Sequence, residues 1–232
     1  HPTILNRKIA NGTRNFLHEP AMSQQQMQQA LSAGIELAES CQTKGCNVLC
    51  LGEMGIGNTS PSSVWMSLWG NLPLSSCVGS GSGLNIAGEK HKLAILEQAV
   101  SNFKRQPLTH NDPSTIIQYF GGFEMVAAIG AMLRAAELRM IVLVDGFIMS
   151  ACMLAASKLT PSVLDYAIFG HSGDESGHRQ LLALMQAQPI LQLGMRLGEG
   201  TGALCAYPII ESSVRMINEM NNFKDANIDK YF

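Results

Sequence analysis

The spacing of apolar residues along the chain predicts short buried strands that alternate with helices. Mostly apolar runs predict strands at residues 47–51, 140–144 and 163–169, with a shorter one at residues 77–78. Helical spacing together with start and stop signals predicts helices near residues 24–44, 87–103, 113–120, 123–137, 147–157, 176–186 and 200–220, and from residue 60 onward. This alternation predicts an α/β fold with a Rossmann-like parallel sheet flanked by helices.

The polar, irregular residues 1–22 are predicted to be an N-terminal connecting segment. Ser23 and Gln26 then have the spacing of a capping box, which marks a helix start. We expect residues 23–232 to form a single α/β domain. Ligands of such folds bind beyond the carboxyl ends of parallel strands. Each expected strand ends in a loop that is rich in glycine or bears Asp, so these loops should meet at one edge.

Composition excludes several classes of protein. Hydrophobic residues make up 46% of the chain and charged residues 15%, which is too apolar for a disordered protein. The net charge of −2, without a basic tract, argues against nucleic-acid binding. Apolar runs stay below the roughly 18 residues of a membrane span. The chain opens His-Pro-Thr-Ile, which is neither a signal peptide nor an initiator Met, so we expect a piece of a longer protein.

Two groups of residues raise the possibility of a metal site. Cys41, Cys46 and Cys50 are close in sequence but lack CxxC spacing and a nearby His. His171 and His178 are separated by six residues, which is not a recognised ligand spacing. Small buried hydrophobes and ordinary loop residues explain both groups better, so we predict no metal and no cofactor. Free thiols favour a reducing cytoplasm.

The glycine-rich residues 79–83 (Gly-Ser-Gly-Ser-Gly) are a candidate anion site. Glycine loops that precede a helix can direct backbone N–H groups at a phosphate, and Lys90 and Lys92 follow closely. The segment is neither GxGxxG nor a Walker loop. A plain glycine-rich turn remains the alternative.

Two further loops place a carboxylate among glycines. Glu53 lies in residues 52–59 (Gly-Glu-Met-Gly-Ile-Gly-Asn-Thr), and Glu199 lies in residues 196–202 (Arg-Leu-Gly-Glu-Gly-Thr-Gly). Each carboxylate could simply complement the dipole of the helix that follows. Two such loops at one edge of a sheet favour a ligand site instead.

Five segments in order resemble one family over nearly the whole chain, from about Gly12. They are residues 52–59, 78–84 with Lys92 downstream, 121–124 (Gly-Gly-Phe-Glu), 143–147 (Leu-Val-Asp-Gly-Phe) and 196–203. Together they resemble the nicotinate-nucleotide:dimethylbenzimidazole phosphoribosyltransferases. The resemblance implies a homodimeric pentosyltransferase of cobalamin biosynthesis that uses nicotinate mononucleotide and a benzimidazole-type base.

The implied reaction moves the 5-phosphoribosyl group from nicotinate mononucleotide to 5,6-dimethylbenzimidazole, with inversion at the anomeric carbon. Nicotinate leaves from a pyridinium and needs no general acid. The benzimidazole becomes a stronger nucleophile when a carboxylate takes its ring proton. Glu199 matches the family's catalytic glutamate, and we expect it to lie among apolar groups beside Leu197, where burial makes a carboxylate a stronger base.

The resemblance also implies the positions that bind substrate. Gly81 and Lys92 match the 5′-phosphate site, Glu53 and the backbone of residues 55–57 match the nicotinate and ribose side, and Asp145 matches a carboxylate near the substrate. The full set of expected substrate-binding residues is Glu53, Met54, Gly55, Gly57, Asn58, Thr59, Gly81, Lys92, Asp145 and Leu197.

The chain departs from the family's pattern in three places, of which the mildest is residues 59–63, Thr-Ser-Pro-Ser-Ser in place of a more usual Thr-Thr-Pro-Ala-Ala. Family members carry a further N-terminal region, with Lys-Pro and Gly-Ser-Leu-Gly signatures, that supplies part of the benzimidazole pocket; this sequence contains nothing like it. Gly173 and Asp174 stand where the family usually has Ser and Ala, which puts the polar contact of that loop in doubt. The alternative hypothesis is therefore a truncated, non-catalytic, nucleotide-binding homologue of the same fold.

Overall fold

The computed structural model describes residues 4–221, in which three short strands form a parallel sheet. The strands are β1 (Val48–Leu51), β2 (Ile141–Val144) and β3 (Ala167–Phe169), in the order β1-β2-β3. Cys50 pairs with Leu143, which in turn pairs with Ile168. The predicted α/β fold with a parallel sheet flanked by helices is confirmed.

Helices precede, connect and follow the strands. Their bounds are α1 (Gln24–Thr43), α2 (Thr59–Gly70), α3 (Leu74–Cys77), α4 (Ile86–Arg105), α5 (Pro113–Phe120), α6 (Phe123–Glu137), α7 (Phe147–Leu159), α8 (His178–Leu184) and α9 (Thr201–Glu219). The expected capping box of Ser23 and Gln26 starts α1. Helix α7 is buried along its first ten residues, from Phe147 to Ala156, and it packs against α2, α6 and α8. It is the centre of the hydrophobic core.

Two strand predictions were wrong in whole or in part. Residues 77–78 do not form a strand, because Pro73 starts the short helix α3, and the Cys77 carbonyl accepts a hydrogen bond from the Ser63 hydroxyl. Only the last three of residues 163–169 join the sheet. Pro161 begins a 3-10 helix, Pro161–Tyr166, which occupies the first part of that run.

The loops that follow β1, β2 and β3 meet at the carboxyl edge of the sheet, because all three strands are parallel. Residues 4–22 contain no helix or strand, and Ala21 donates a backbone hydrogen bond to the carbonyl of Tyr119. The division into a connecting segment and one domain stays a prediction. No helix within residues 4–221 has both the length and the hydropathy that a bilayer crossing requires.

Candidate active site

One cleft at the carboxyl edge of the sheet is lined by the loops that the sequence indicated. Residues 53–59 and 145–149 follow β1 and β2, residues 79–82 precede α4, and residues 196–199 precede α9. Residues 174–176, after β3, close one end. The largest of its three compartments has a volume of about 510 Å³. All of the expected site residues line this cleft.

The glycine loop and Lys92 form one wall. The Lys92 ammonium, reaching back from α4, donates to the Thr59 hydroxyl at 2.8 Å and to the Gly79 carbonyl at 3.1 Å. Burial lowers the pKa of Lys92, with a smaller opposing effect of Glu89. No carboxylate in residues 4–221 forms a salt bridge with this ammonium. Its charge is therefore available to an anion beside Gly81.

The loop after β1 is organised around the buried side chain of Asn58. Its amide donates to the Glu53 carboxylate and, at 3.3 Å, to that of Glu124. Partial burial raises the pKa of Glu53, and the nearby charges of Glu124 and Asp145 add to this effect. The Asn58 amide and the Gly55 N–H oppose it. Glu53 therefore holds its proton to a higher pH than an exposed glutamate.

Asp145 holds the start of α9 in place. It is only 2% exposed, and its two oxygens accept hydrogen bonds from the backbone N–H groups of Gly200 (3.1 Å) and Ala203 (3.0 Å). A carboxylate in this position satisfies N–H groups that lack a partner inside the helix, and it complements the helix dipole. Asp145 lies beside the cleft as the sequence indicated, but its oxygens are already engaged.

Glu199 is presented by a backbone that is constrained on two sides. Its φ is 66°, a left-handed conformation, and Gly52 lies so close to the Glu199 backbone that a Cβ there would collide with it. The expectation that Glu199 lies among apolar groups was wrong, because its side chain is exposed and Leu197 is 57% exposed. Leu197 and Met54, which is 71% exposed, instead give the cleft an apolar rim.

Sequence reasoning did not single out two charged residues that line the cleft. Arg196 donates through Nε (2.9 Å) and Nη2 (2.8 Å) to one carboxylate oxygen of Asp174. Glu175 is half-buried, burial raises its pKa, and its buried Oε2 has no hydrogen-bond partner in residues 4–221. The signals available were that Arg196 begins the Glu199 motif and that Glu175 belongs to the loop after β3.

A buried polar network supports the cleft from behind. His178 accepts a hydrogen bond from the Gly173 N–H at Nδ1, so its Nε2 carries hydrogen and donates to the Ser150 hydroxyl at 3.1 Å. Burial, helped by nearby His171, lowers the pKa of His178 to about 4 and keeps it neutral. His171 lies 3.7 Å from Asp145, and its ring fills the space beside Gly202. No group of three or more His, Cys, Asp or Glu in residues 4–221 is arranged to hold a metal ion.

Comparisons with known proteins agree with this arrangement of loops. A family model described as "Phosphoribosyltransferase" (DBI_PRT) matches residues 1–228. The nicotinate-nucleotide–dimethylbenzimidazole phosphoribosyltransferase of Bacteroides fragilis is 57% identical over 99% of this chain, and that of Phocaeicola vulgatus is 56% identical over 99%. The crystal structure of CobT from Thermus thermophilus superposes with a TM-score of 0.92 at 33% identity, covering 99% of this chain and 68% of that one. The chain spans 65% of the length of the two sequence relatives.

Proposed function

Because the chain belongs to the nicotinate-nucleotide–dimethylbenzimidazole phosphoribosyltransferase family, we propose that it transfers the 5-phosphoribosyl group of nicotinate mononucleotide to 5,6-dimethylbenzimidazole. The products are α-ribazole 5′-phosphate and nicotinate, for assembly of the cobalamin nucleotide loop. The observation that carries the proposal is a cleft that joins two features. One is the Lys92 ammonium at the glycine loop, which forms no salt bridge with a carboxylate of residues 4–221, and the other is the loop of Glu199.

The donor nucleotide takes the side of the cleft with the available positive charge. The Lys92 ammonium and the Gly81 loop bind the 5′-phosphate, and Glu53 and Asn58 face the ribose and nicotinate. The C–N bond to nicotinate breaks, and its electron pair stays on the pyridinium nitrogen, which becomes neutral. No proton donor is needed on this side.

The acceptor base takes the side with the apolar rim. Met54 and Leu197 offer exposed apolar surface to a planar ring, and Glu199 lines the same compartment. One ring nitrogen attacks the anomeric carbon from the face opposite nicotinate, while the proton of the other nitrogen passes to the Glu199 carboxylate. Asp145 serves this step indirectly, because it fixes the backbone that carries Glu199.

Two further properties belong to the proposal. The enzyme acts in the cytoplasm, which is supported by six cysteines that are all free thiols. It acts as a homodimer, which is supported by the exposed apolar side chains of α9, such as Ile217 (84% exposed) and Met216 (54%).

Product formation tests the proposal directly. The chain is incubated with nicotinate mononucleotide and dimethylbenzimidazole, and mass spectrometry follows α-ribazole 5′-phosphate and nicotinate. We expect both products in equal amounts, and no nicotinate release when the base is omitted. Calorimetry with the nucleotide alone supplies the second readout. Nucleotide binding without any product would favour the non-catalytic homologue instead.

A further inference from the structure

The cleft contains an excess of negative charge that a phosphate must overcome. Its lining carboxylates outnumber its lining cations five to two: Glu53, Asp145, Asp174, Glu175 and Glu199 against Lys92 and Arg196. Attraction of a phosphate dianion into this cleft therefore depends on both cations.

The two cations differ in their partners. Among the residues that the structure describes, Lys92 donates only to neutral oxygens, whereas Arg196 donates twice to the carboxylate of Asp174. The side chains of Arg196 and Asp174 are 66% and 57% exposed, and an exposed pair of this kind is weak and screened by salt. The guanidinium can therefore exchange one anionic partner for another.

The same end of the cleft holds the pair and the glycine loop. Asp174 and Arg196 line one compartment together with Gly79 and Gly81. Phosphate and carboxylate oxygens both match the forked N–H groups of a guanidinium. A phosphate bound at the loop consequently shares this compartment with the guanidinium of Arg196 and the carboxylate of Asp174.

We propose that Arg196 is a second phosphate-binding residue and that Asp174 is a built-in competitor, which occupies the guanidinium until the nucleotide's phosphate displaces it. The inference rests on the proposed function, since it assigns the phosphate of that substrate. The competitor is visible in the structure, because one carboxylate oxygen of Asp174 accepts both hydrogen bonds of the guanidinium. Because Asp174 competes with the phosphate for Arg196, the chain binds the nucleotide more weakly than it would without this carboxylate. Removal of the Asp174 carboxylate should therefore strengthen nucleotide binding.

Calorimetry on single and double variants tests the competition. Asp174→Ala should lower the Kd of nicotinate mononucleotide and of ribose 5-phosphate about fivefold, and KM should fall by the same factor. Arg196→Ala should raise both Kd values about tenfold, and the double variant should match Arg196→Ala. Nicotinate riboside, which lacks the phosphate, should bind Asp174→Ala and the unchanged chain equally.

A matched control separates competition from bulk charge. Glu36 forms an exposed pair with Arg7 at 3.1 Å, and neither residue lines the cleft, so Glu36→Ala removes the same charge and should leave every Kd unchanged. The proposal is overturned if Asp174→Ala binds like the unchanged chain, or if it tightens binding equally when Arg196 is absent. If the chain bound ribose 5-phosphate but not nicotinate mononucleotide, the proposed function would be rejected. The competition between Asp174 and the phosphate could then still be measured with ribose 5-phosphate. Binding of neither ligand would reject both.

Discussion

Asp145 and Glu199 are both carboxylates at the carboxyl edge of the sheet, in opposite environments. Asp145 is 2% exposed and accepts two backbone hydrogen bonds at the start of α9. Glu199 lies one residue before Gly200, the first of those donors, and its side chain is exposed to the cleft. One carboxylate holds the loop, and the other is presented by it.

The difference teaches that residue type alone does not assign a carboxylate to chemistry. A buried acid whose oxygens already accept hydrogen bonds from backbone N–H groups is held in one orientation, so it stabilises structure. An exposed acid on a constrained backbone keeps its oxygens free for a substrate's proton. The comparison predicts that replacing the first carboxylate chiefly affects stability and replacing the second chiefly affects rate.

The largest expected effect is that of Glu199→Gln on turnover. The amide keeps the size of the side chain but cannot accept the benzimidazole proton, so the rate of product formation should fall by roughly 10²- to 10⁴-fold. Because the side chain is exposed, the free energy of unfolding should change by less than about 0.5 kcal/mol. Steady-state kinetics and urea unfolding measure the two quantities. A near-normal rate would remove Glu199 from the mechanism.

The counterpart, Asp145→Asn, should chiefly lower stability. The amide group turns a donor toward one of the two N–H groups, which leaves that group without a partner, so the free energy of unfolding should fall by about 2–3 kcal/mol. Asp112→Asn is the matched control. Asp112 caps α5 by accepting the Thr115 N–H with a single oxygen, and the oxygen of an Asn side chain can accept the same hydrogen bond, so a loss of less than about 0.5 kcal/mol is expected. Equal losses in the two variants would contradict the structural role of Asp145.

Sequence patterns correctly located the helices and strands whose ends are marked by residues close to them in the chain. Helix α6 has the predicted bounds, 123–137, because its apolar run lies between Gly122 and the strand that begins at Ile141. Residues 77–78 were misassigned because two apolar residues before a glycine loop also fit the end of a short helix, and only tertiary contact decides between them. Strand β3 is shorter than predicted for a different reason, since the 3-10 helix that begins at Pro161 occupies the first part of its apolar run.

The sequence predicted which loops form the site, but it did not predict which side chains in those loops form hydrogen bonds with each other. Glycine-flanked carboxylates indicated where the cleft lies, since short motifs carry that information in sequence. The bond between Asp145 and Gly200 joins residues 55 positions apart, and that between Arg196 and Asp174 joins residues 22 apart. Such contacts depend on how helices and strands pack, so no local pattern contains them.

The smallest expected effect is that of Gly52→Ala, a substitution next to the loop that carries Glu199 and is held by Asp145. A Cβ at this position would collide with the backbone of Glu199 and Gly200, so Gly52→Ala must push the loop away from β1. Overpacking of this kind should lower the free energy of unfolding by about 1–3 kcal/mol. It should also weaken the hydrogen bond to Asp145 and displace Glu199 from the substrate.

Activity measured beside stability shows whether the loop moves as one unit. In Gly52→Ala we expect product formation to fall about tenfold, since small displacements of a catalytic group are costly. The control is Gly88→Ala in α4, where the atom nearest to the new Cβ belongs to the flexible Leu84 side chain, at 3.2 Å. Alanine is preferred to glycine inside a helix, so this control should keep its activity and its stability. If Gly52→Ala lost stability but kept its rate, the position of Glu199 would not depend on close packing against β1, and the contrast between the two carboxylates would rest on Asp145 alone.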